Sequence, residues 1–430
     1  MIKILYTKLY FPLFLKIIYY MAKILCKNLI KIRSQKLCKK IYNNFKGPYL
    51  FKPYGVLDCV SLHSGILENL KKKKDSHLFK DEQFKIDFLK FVQKKKCKKG
   101  FFNFQKVLLE GCKKNDFTEL YYPILDTFIR KIPWKYFFTG FELKKNFFKE
   151  IKKIVNKNEK FYSRFNTLFL ADTAYFDNHL AKQIFLNKNK NVIYLNPNGK
   201  ILQYCNINYS ELSAKNYENF YHKYLNEIEN YLEKRYSGKS NNEFDTKFSF
   251  NQSVDKKKHI IKKKVLFLHA FRDSNNTTWN ENQVFHSYID WVDFTLKVIN
   301  KKNDFKNWYI KKHPSGKYYQ NEKQILNKFI KMYNIPKSVI EDCPSTSEIL
   351  DYKMPVYTNS GTIILETATK GYGTYFCKLR FNKKYGFFTS SKREWEKIVK
   401  APYEIASKNY VERSVQKAAK YKLWFIHKKN

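Results

Sequence analysis

His313 and Pro314, in the stretch NWYIKKHPSG, carry the clearest chemistry in the chain. A neutral or protonated imidazole can donate to a phosphate oxygen, and a proline behind it fixes the turn that aims the ring, with Ser315 beside it. A histidine satisfied within the structure is the alternative use of the same residue. Ser360, Gly361 and Thr362 form a second set: the glycine permits close backbone approach, and free N–H groups at a helix start attract a phosphate or pyrophosphate. Glu366, one turn further on, can accept hydrogen bonds from ribose hydroxyls. The competing reading of this set is a small-residue helix cap with a first-turn Glu that complements the helix dipole. His269, Arg272 and Asp273, in HAFRDS, form a third set. Arg272 suits a phosphate or a sugar carboxylate, whereas Asp273 either faces the same cleft or caps the next helix. Asp172, in FLADTAYF, is a carboxylate at a strand end, where it faces the cleft of a two-domain enzyme or serves as an N-cap.

The elements that must position these residues are short strands alternating with helical segments. Trp308–Lys311, Val339–Glu341 and Val356–Thr358 read as strands closed by turns, and Lys262–Leu268 opens the series. That alternation predicts a parallel sheet wrapped by helices, whose ligands bind at the carboxyl ends of the strands. Upstream, Thr167–Ala171, Asp177–Leu186 and Val192–Leu195 read as strand, helix and strand before a Pro-Asn-Gly turn. Asn206–Tyr236 reads as one or two helices. Ser237–Lys258, polar and poor in aliphatics, reads as a connector. Helical stretches are expected at Asp81–Lys96, Glu142–Asn158, about Asn282–Ile299 and Pro402–Ile426, and Gly55–Leu70 as strand, turn and helix. The expected organisation is an N-terminal helix over 1–35, a first α/β domain over 36–240, a linker over 241–260, a second α/β domain over 261–400, and a helix over 401–430 crossing back to the first.

The formal charge is +45, nearly all of it from Lys spread evenly among Asn, Ile, Phe and Tyr, as an AT-rich coding sequence produces. No zinc-finger spacing or RNA-binding aromatic signature accompanies it, so nucleic acid is not an expected partner; coding bias is the first reading of the charge, and attraction to anionic lipid or saccharide the second. The eight cysteines form no C-x-x-C pair, which reads as a reduced, cytoplasmic protein without structural zinc or disulfides. Residues 4–32 are the most apolar part, but Lys8, Lys16 and Lys23 interrupt any span of the roughly 20 residues a membrane crossing needs. On a helical wheel Lys16, Lys23, Lys27 and Lys31 share an arc of roughly 80°, the pattern of an interfacial helix on an anionic membrane or of a buried helix with snorkelling lysines. No Walker loop, G-x-G-x-x-G, H-E-x-x-H or G-x-S-x-G occurs, which removes support for kinase, dehydrogenase, metalloprotease and common hydrolase readings.

Two blocks, LFLADTAYFDNHLAKQIFLNKNKNVIYLNPNGKI at Leu168–Ile201 and VLFLHAFRDS through NWYIKKHPS to TNSGTIILETATKG at Val265–Gly371, resemble the bacterial capsule and surface polysaccharide biosynthesis proteins, a group that includes the Kdo transferases. The resemblance implies a GT-B glycosyltransferase: two Rossmann-like domains facing across a cleft, a nucleotide sugar such as CMP-Kdo held mainly by the second, a saccharide or glycolipid acceptor by the first, and no metal or other cofactor. The cysteine usage and the basic stripe of the N-terminal stretch, not the resemblance, are the ground for expecting a cytoplasmic protein able to rest peripherally on the anionic inner-membrane face. On the resemblance, His313, Pro314, Ser315, His269, Arg272, Ser360, Gly361 and Thr362 stand as donor-phosphate contacts, Glu366 as the ribose contact, and Asp172 and Asp273 as catalytic carboxylates. A non-catalytic assembly or export factor and a UDP-sugar epimerase of the same architecture are the rival readings.

Overall fold

The computed structural model describes residues 49–52, 76–78, 88–94, 100–132, 134, 138, 141–144, 146–170, 176–195, 201–204, 214–237, 262–272, 284–285, 288–314, 316, 319, 321–378 and 383–428. The expected N-terminal helix over 1–35, the Gly55–Leu70 segment, the linker over 241–260 and three predicted site residues, Asp172, Asp273 and Ser315, lie outside the described residues.

The strands are β1 (Tyr49–Lys52), β2 (Ser76–Leu78), β3 (Val92–Lys94), β4 (Phe141–Leu143), β5 (Thr167–Leu170), β6 (Asn191–Leu195), β7 (Ile201–Tyr204), β8 (Lys264–Phe267), β9 (Trp308–Lys311), β10 (Val356–Thr358), β11 (Thr374–Phe376) and β12 (Gly386–Phe388). The helices that bear on the site are α1 (Tyr121–Lys131), α2 (Phe176–Asn187), α3 (Ala214–Lys223), α4 (Leu225–Tyr236), α5 (Tyr288–Lys301), α6 (Glu322–Met332), α7 (Ser338–Glu341), α8 (Thr346–Asp351), α9 (Ile363–Thr369), α10 (Lys392–Lys400) and α11 (Arg413–Lys428). The chain is an α/β protein that divides into two compact units.

In the first unit the sheet order is β2-β1-β5-β6-β7, parallel except for β7, which runs antiparallel to β6. Its core includes Leu168, Phe169 and Leu170 of β5, Leu180 and Phe185 of α2, and Val192 and Ile193 of β6, all buried. In the second unit β12-β11-β10-β8-β9 form a fully parallel sheet. Strands β8, β10 and β11 are buried along nearly their whole length, as parallel strands covered on both faces are. Counted from its own first strand this sheet runs 2-1-3-4-5, and the direction of winding reverses between β8 and β10. Such a reversal opens a crevice at the strands' carboxyl ends, where open α/β sheets bind ligands.

Several sequence expectations need correcting. Val339–Glu341 is not a strand but part of α7, a single turn begun by Pro336, whose carbonyl accepts from the Val339 N–H at 3.1 Å. A proline at a turn's start outweighs the β-propensity of Val and Ile. The described part of Asp81–Lys96 is a 3₁₀ turn, Phe88–Phe91, running into β3, which pairs antiparallel with β4. Glu142 therefore belongs to a strand, and the following helix starts at Phe147. The final tract breaks into Tyr403–Ala406 and α11, with a bridge between Tyr372 and Tyr410. Helix α11 packs on α9 and on α3 and α4, and those last two belong to the second unit rather than the first.

One polar lock anchors the amino end of the second sheet. Lys264, 2% exposed, donates to Asp304 Oδ2 at 3.1 Å, Val399 O at 3.2 Å and Ala401 O at 3.0 Å. Asp304 also accepts from Asn307 Nδ2 at 2.6 Å and the Trp308 indole at 3.0 Å. Burial raises the Asp304 pKa, but the bonds from Asn307, Lys264 and Trp308 outweigh it and hold the carboxyl below its usual range. Burial lowers the Lys264 pKa more than Asp304 restores it. The depressed Asp304 pKa stabilises the fold above the ordinary Asp value of about 3.9, and that contribution is lost as pH falls through the folded value. Asp304→Asn should therefore cost about 2–4 kcal/mol at pH 7, since it strips the buried ammonium of its counter-charge. It should also flatten the acid limb of the stability curve. Denaturant melts of both proteins from pH 7 to pH 3 check this, and an unchanged acid limb would contradict it.

Candidate functional site

Strands β8, β9 and β10 lie side by side, so the residues after each are brought to one edge by register alone: Phe267 pairs with Lys311 and with Thr358. His269 follows β8, His313 follows β9, and Ser360-Gly361-Thr362 follows β10. The structure brings these three predicted sets together. The His269 and His313 ring centroids are 5.5 Å apart, with the planes tilted by 31°. His269 Nε2 donates to the Ser360 carbonyl, which also accepts from Thr358 Oγ1 at 2.8 Å. A carbonyl can only accept, so that contact puts a proton of His269 on Nε2.

Gly361 makes this approach possible. Its φ is 126°, and a Cβ there would stand 2.8 Å from His269 Cε1. The His269 main chain is held by Tyr288, 2% exposed, whose hydroxyl accepts from the His269 N–H at 2.7 Å and donates to its carbonyl at 3.1 Å. The turn carrying His313 and Pro314 closes by a Gly316 N–H to His313 carbonyl bond of 3.1 Å. Of the nearby lysines, Lys311 is tied to the Pro344 carbonyl at 2.6 Å, whereas Lys312 is exposed. Cys343, beside Lys311, has its thiol pushed up to about 12 by burial and is a packing residue.

Two expected ligand contacts are committed elsewhere. Glu366 does not face a ribose: its carboxylate accepts from the Arg235 guanidinium, at 3.2 Å from Nε and closer from NH2, and both side chains are 5% exposed. Arg272 does not face a phosphate: its guanidinium donates to the Ile132 carbonyl, at the C-cap of α1, at 3.0 Å, and the residue is 7% exposed. The Phe271 and Arg272 N–H groups both donate to the Glu322 carboxylate at 2.8 Å. Ser360 is itself buried, and Thr362, half-buried, caps α9 without a side-chain bond. Helix α9 has seven residues, too short for its dipole to dominate, so the weight of the site falls on the two imidazoles.

Sequence reasoning missed Tyr288, Glu322 and Arg235. Each acts on a residue distant in the chain, and a first-turn Glu such as Glu322 carries no local sign beyond complementing its own helix dipole. In the first unit β5 ends at Leu170. On α2, which follows, burial and then Lys182 hold His179 at a pKa of about 4, so it is a neutral imidazole at physiological pH. Among the described residues no group of three or more His, Cys, Asp or Glu is arranged to hold a metal ion, and no helix is long and apolar enough to cross a membrane. No protein-family model, no characterised protein sequence and no solved structure matches the chain.

Proposed function

We propose that the second unit holds the phosphate of a nucleotide-activated sugar between His269, His313 and the Ser360–Gly361 turn, and that the chain is a GT-B glycosyltransferase extending a capsule or surface polysaccharide or glycolipid. The observation that carries the reading is the pairing of two imidazoles with a glycine turn at the point where the second sheet reverses its winding. The two compact units are then the two Rossmann-like domains of that architecture, with the acceptor served by the first. The resemblance to capsule proteins supplies the substrate class, with a CMP-linked acidic sugar such as Kdo the first donor to test.

In the reaction the acceptor oxygen bonds to the anomeric carbon as that carbon's bond to the donor phosphate breaks, and the hydroxyl proton passes to a carboxylate. His313 stabilises the charge that grows on the departing phosphate, a task for which a preoriented donor is most effective. Asp172 is the candidate acceptor of the proton, with Asp273 the other candidate carboxylate. The basic chain and its amphipathic N-terminal stretch suit a cytoplasmic enzyme resting on an anionic inner-membrane face.

A thermal-shift series with CMP, CDP, UDP, GDP and dTDP tests the reading. One nucleotide should raise the midpoint by mass action, by about 2.7 kcal/mol of stability at 100 times its Kd. His313→Ala should weaken that nucleotide by about tenfold or more, the worth of one charged hydrogen bond. Asp172→Ala should abolish transfer while leaving nucleotide binding intact. If no nucleotide raises the midpoint, the transferase reading fails and glycan binding without turnover replaces it.

A further inference from the structure

We propose that Glu322 is a positioning residue of the phosphate site, one that together with Tyr288 sets where His269 stands. The proposal rests on the phosphate-binding reading given above, but its main test does not need a nucleotide. Two consecutive backbone N–H groups, those of Phe271 and Arg272, converge on the two carboxylate oxygens of Glu322, each at 2.8 Å. Successive N–H groups turned to one point form a nest that selects an oxyanion, and charge-assisted bonds of this kind are the strong ones. The nest lies two residues beyond His269, and its occupant is built into the chain.

The carboxylate reaches the nest because of where α6 begins. Asn321 takes the left-handed conformation, φ 63°, and Glu322 is the first helical residue. From there it serves the loop after β8 while also standing beside the turn after β9, where a Cβ on Gly316 would lie 3.9 Å from its Oε2. One carboxylate thus sits between the two loops that carry His269 and His313. Its charge also favours the buried Arg272 guanidinium: burial lowers the Arg272 pKa and Glu322 opposes this. Arg272 in turn fastens the loop to the C-cap of α1 through Ile132. Removing the carboxylate takes an acceptor from two N–H groups in a loop where Phe271 and Arg272 are 4% and 7% exposed. Such groups are costly to leave unbonded, so the loop must move, and His269 moves with it.

Glu322→Ala and Glu322→Gln, in the full chain, decide the point. The readout is the ring signals of ¹⁵N-labelled histidines, with His269 assigned by its loss in His269→Gln. In Glu322→Ala the His269 ring signals should shift, and added formate should return them by refilling the nest, while leaving the wild type unchanged. The nucleotide that binds the wild type should bind Glu322→Ala about tenfold or more weakly and recover with formate. Glu322→Gln, which keeps the shape and one acceptor oxygen, should fall between, and it decides by the same signals if the alanine variant does not fold. A loss of stability with His269 signals unmoved, or moved but insensitive to formate, would reduce Glu322 to a structural role and overturn the proposal. Tighter nucleotide binding by Glu322→Ala would also overturn it, making the carboxylate a competitor for the nest. If the wild type binds no nucleotide, the phosphate reading fails alone, and the formate response still decides what Glu322 does.

Discussion

Glu366→Ala and Arg235→Ala should each destabilise the protein by about 3–5 kcal/mol, because each strands a charge where water cannot reach it. The pair joins α4 to α9, with both side chains 5% exposed. Arg235 also donates to the Tyr231 hydroxyl at 3.1 Å, and Tyr236 bonds Thr369 at 2.5 Å, so the whole end of α4 is stitched to α9. Apolar packing surrounds the pair: Leu232 of α4, Ile364 and Leu365 of α9, and Ala418 and Leu423 of α11 share one core cluster. In that setting the Coulomb gain roughly offsets the desolvation of both ions, so replacing both partners with apolar residues should cost far less than removing one. Arg235→Met with Glu366→Leu is therefore expected to recover most of the loss of either single alanine variant. Urea titrations with an unchanged slope measure this directly. Single-variant losses below about 1 kcal/mol, the worth of an exposed pair, would show that water reaches the site and sink the argument. The consequence for function is indirect: α9 begins just after Gly361 and Thr362, so the pair fixes the helix behind the turn without touching a ligand.

The same pair shows which parts of the molecule the sequence makes legible. Trp308–Lys311 and Val356–Thr358 are read as strands with the bounds they have, and Lys264–Phe267 and Thr167–Leu170 fall within the strands expected for them. A strand buried on both faces must be apolar along its whole length, and turn residues mark its ends, so the signal is local. The carboxyl-edge placement of His269, His313 and Gly361 follows from that same alternation of strands and helices. What a side chain does at the edge is not local. Glu366 is spent on Arg235, 131 residues earlier, and the loop after β8 is held by Glu322, 50 and 51 residues later. Nothing in the residues around Glu366 distinguishes a ribose contact from half of a buried ion pair. Val339 and Ile340 mislead for the opposite reason: their β-propensity is real, but a turn begun by Pro336 and packing against β9 override it.

Gly361→Ala should damage the site through its backbone and its contacts together. Its φ of 126° is a conformation that glycine alone adopts freely, so any side chain costs about 1–3 kcal/mol in backbone strain before contacts are considered. The contacts add to this, since the new Cβ would meet His269 Cε1 at 2.8 Å and Nε2 at 3.1 Å. The ring cannot simply retreat. Its Nε2 is bonded to the Ser360 carbonyl, its backbone is bracketed by the Tyr288 hydroxyl, and the His313 ring lies beyond it. Relief therefore requires breaking the His269–Ser360 bond or shifting the turn, and either change dismantles the proposed phosphate site. The expected result is a clear loss of thermal stability together with loss of any nucleotide response. Gly316→Ala is the matched control at the neighbouring turn: its φ is not positive, and its Cβ would meet only Glu322 Oε2, at 3.9 Å. That substitution should fall within about 0.5 kcal/mol of the wild type, as ordinary surface changes do. Equal effects from the two alanines would mean that the glycine at the end of β10 is not required by its conformation, and the close approach of His269 to Gly361 would then have no bearing on how the site is built.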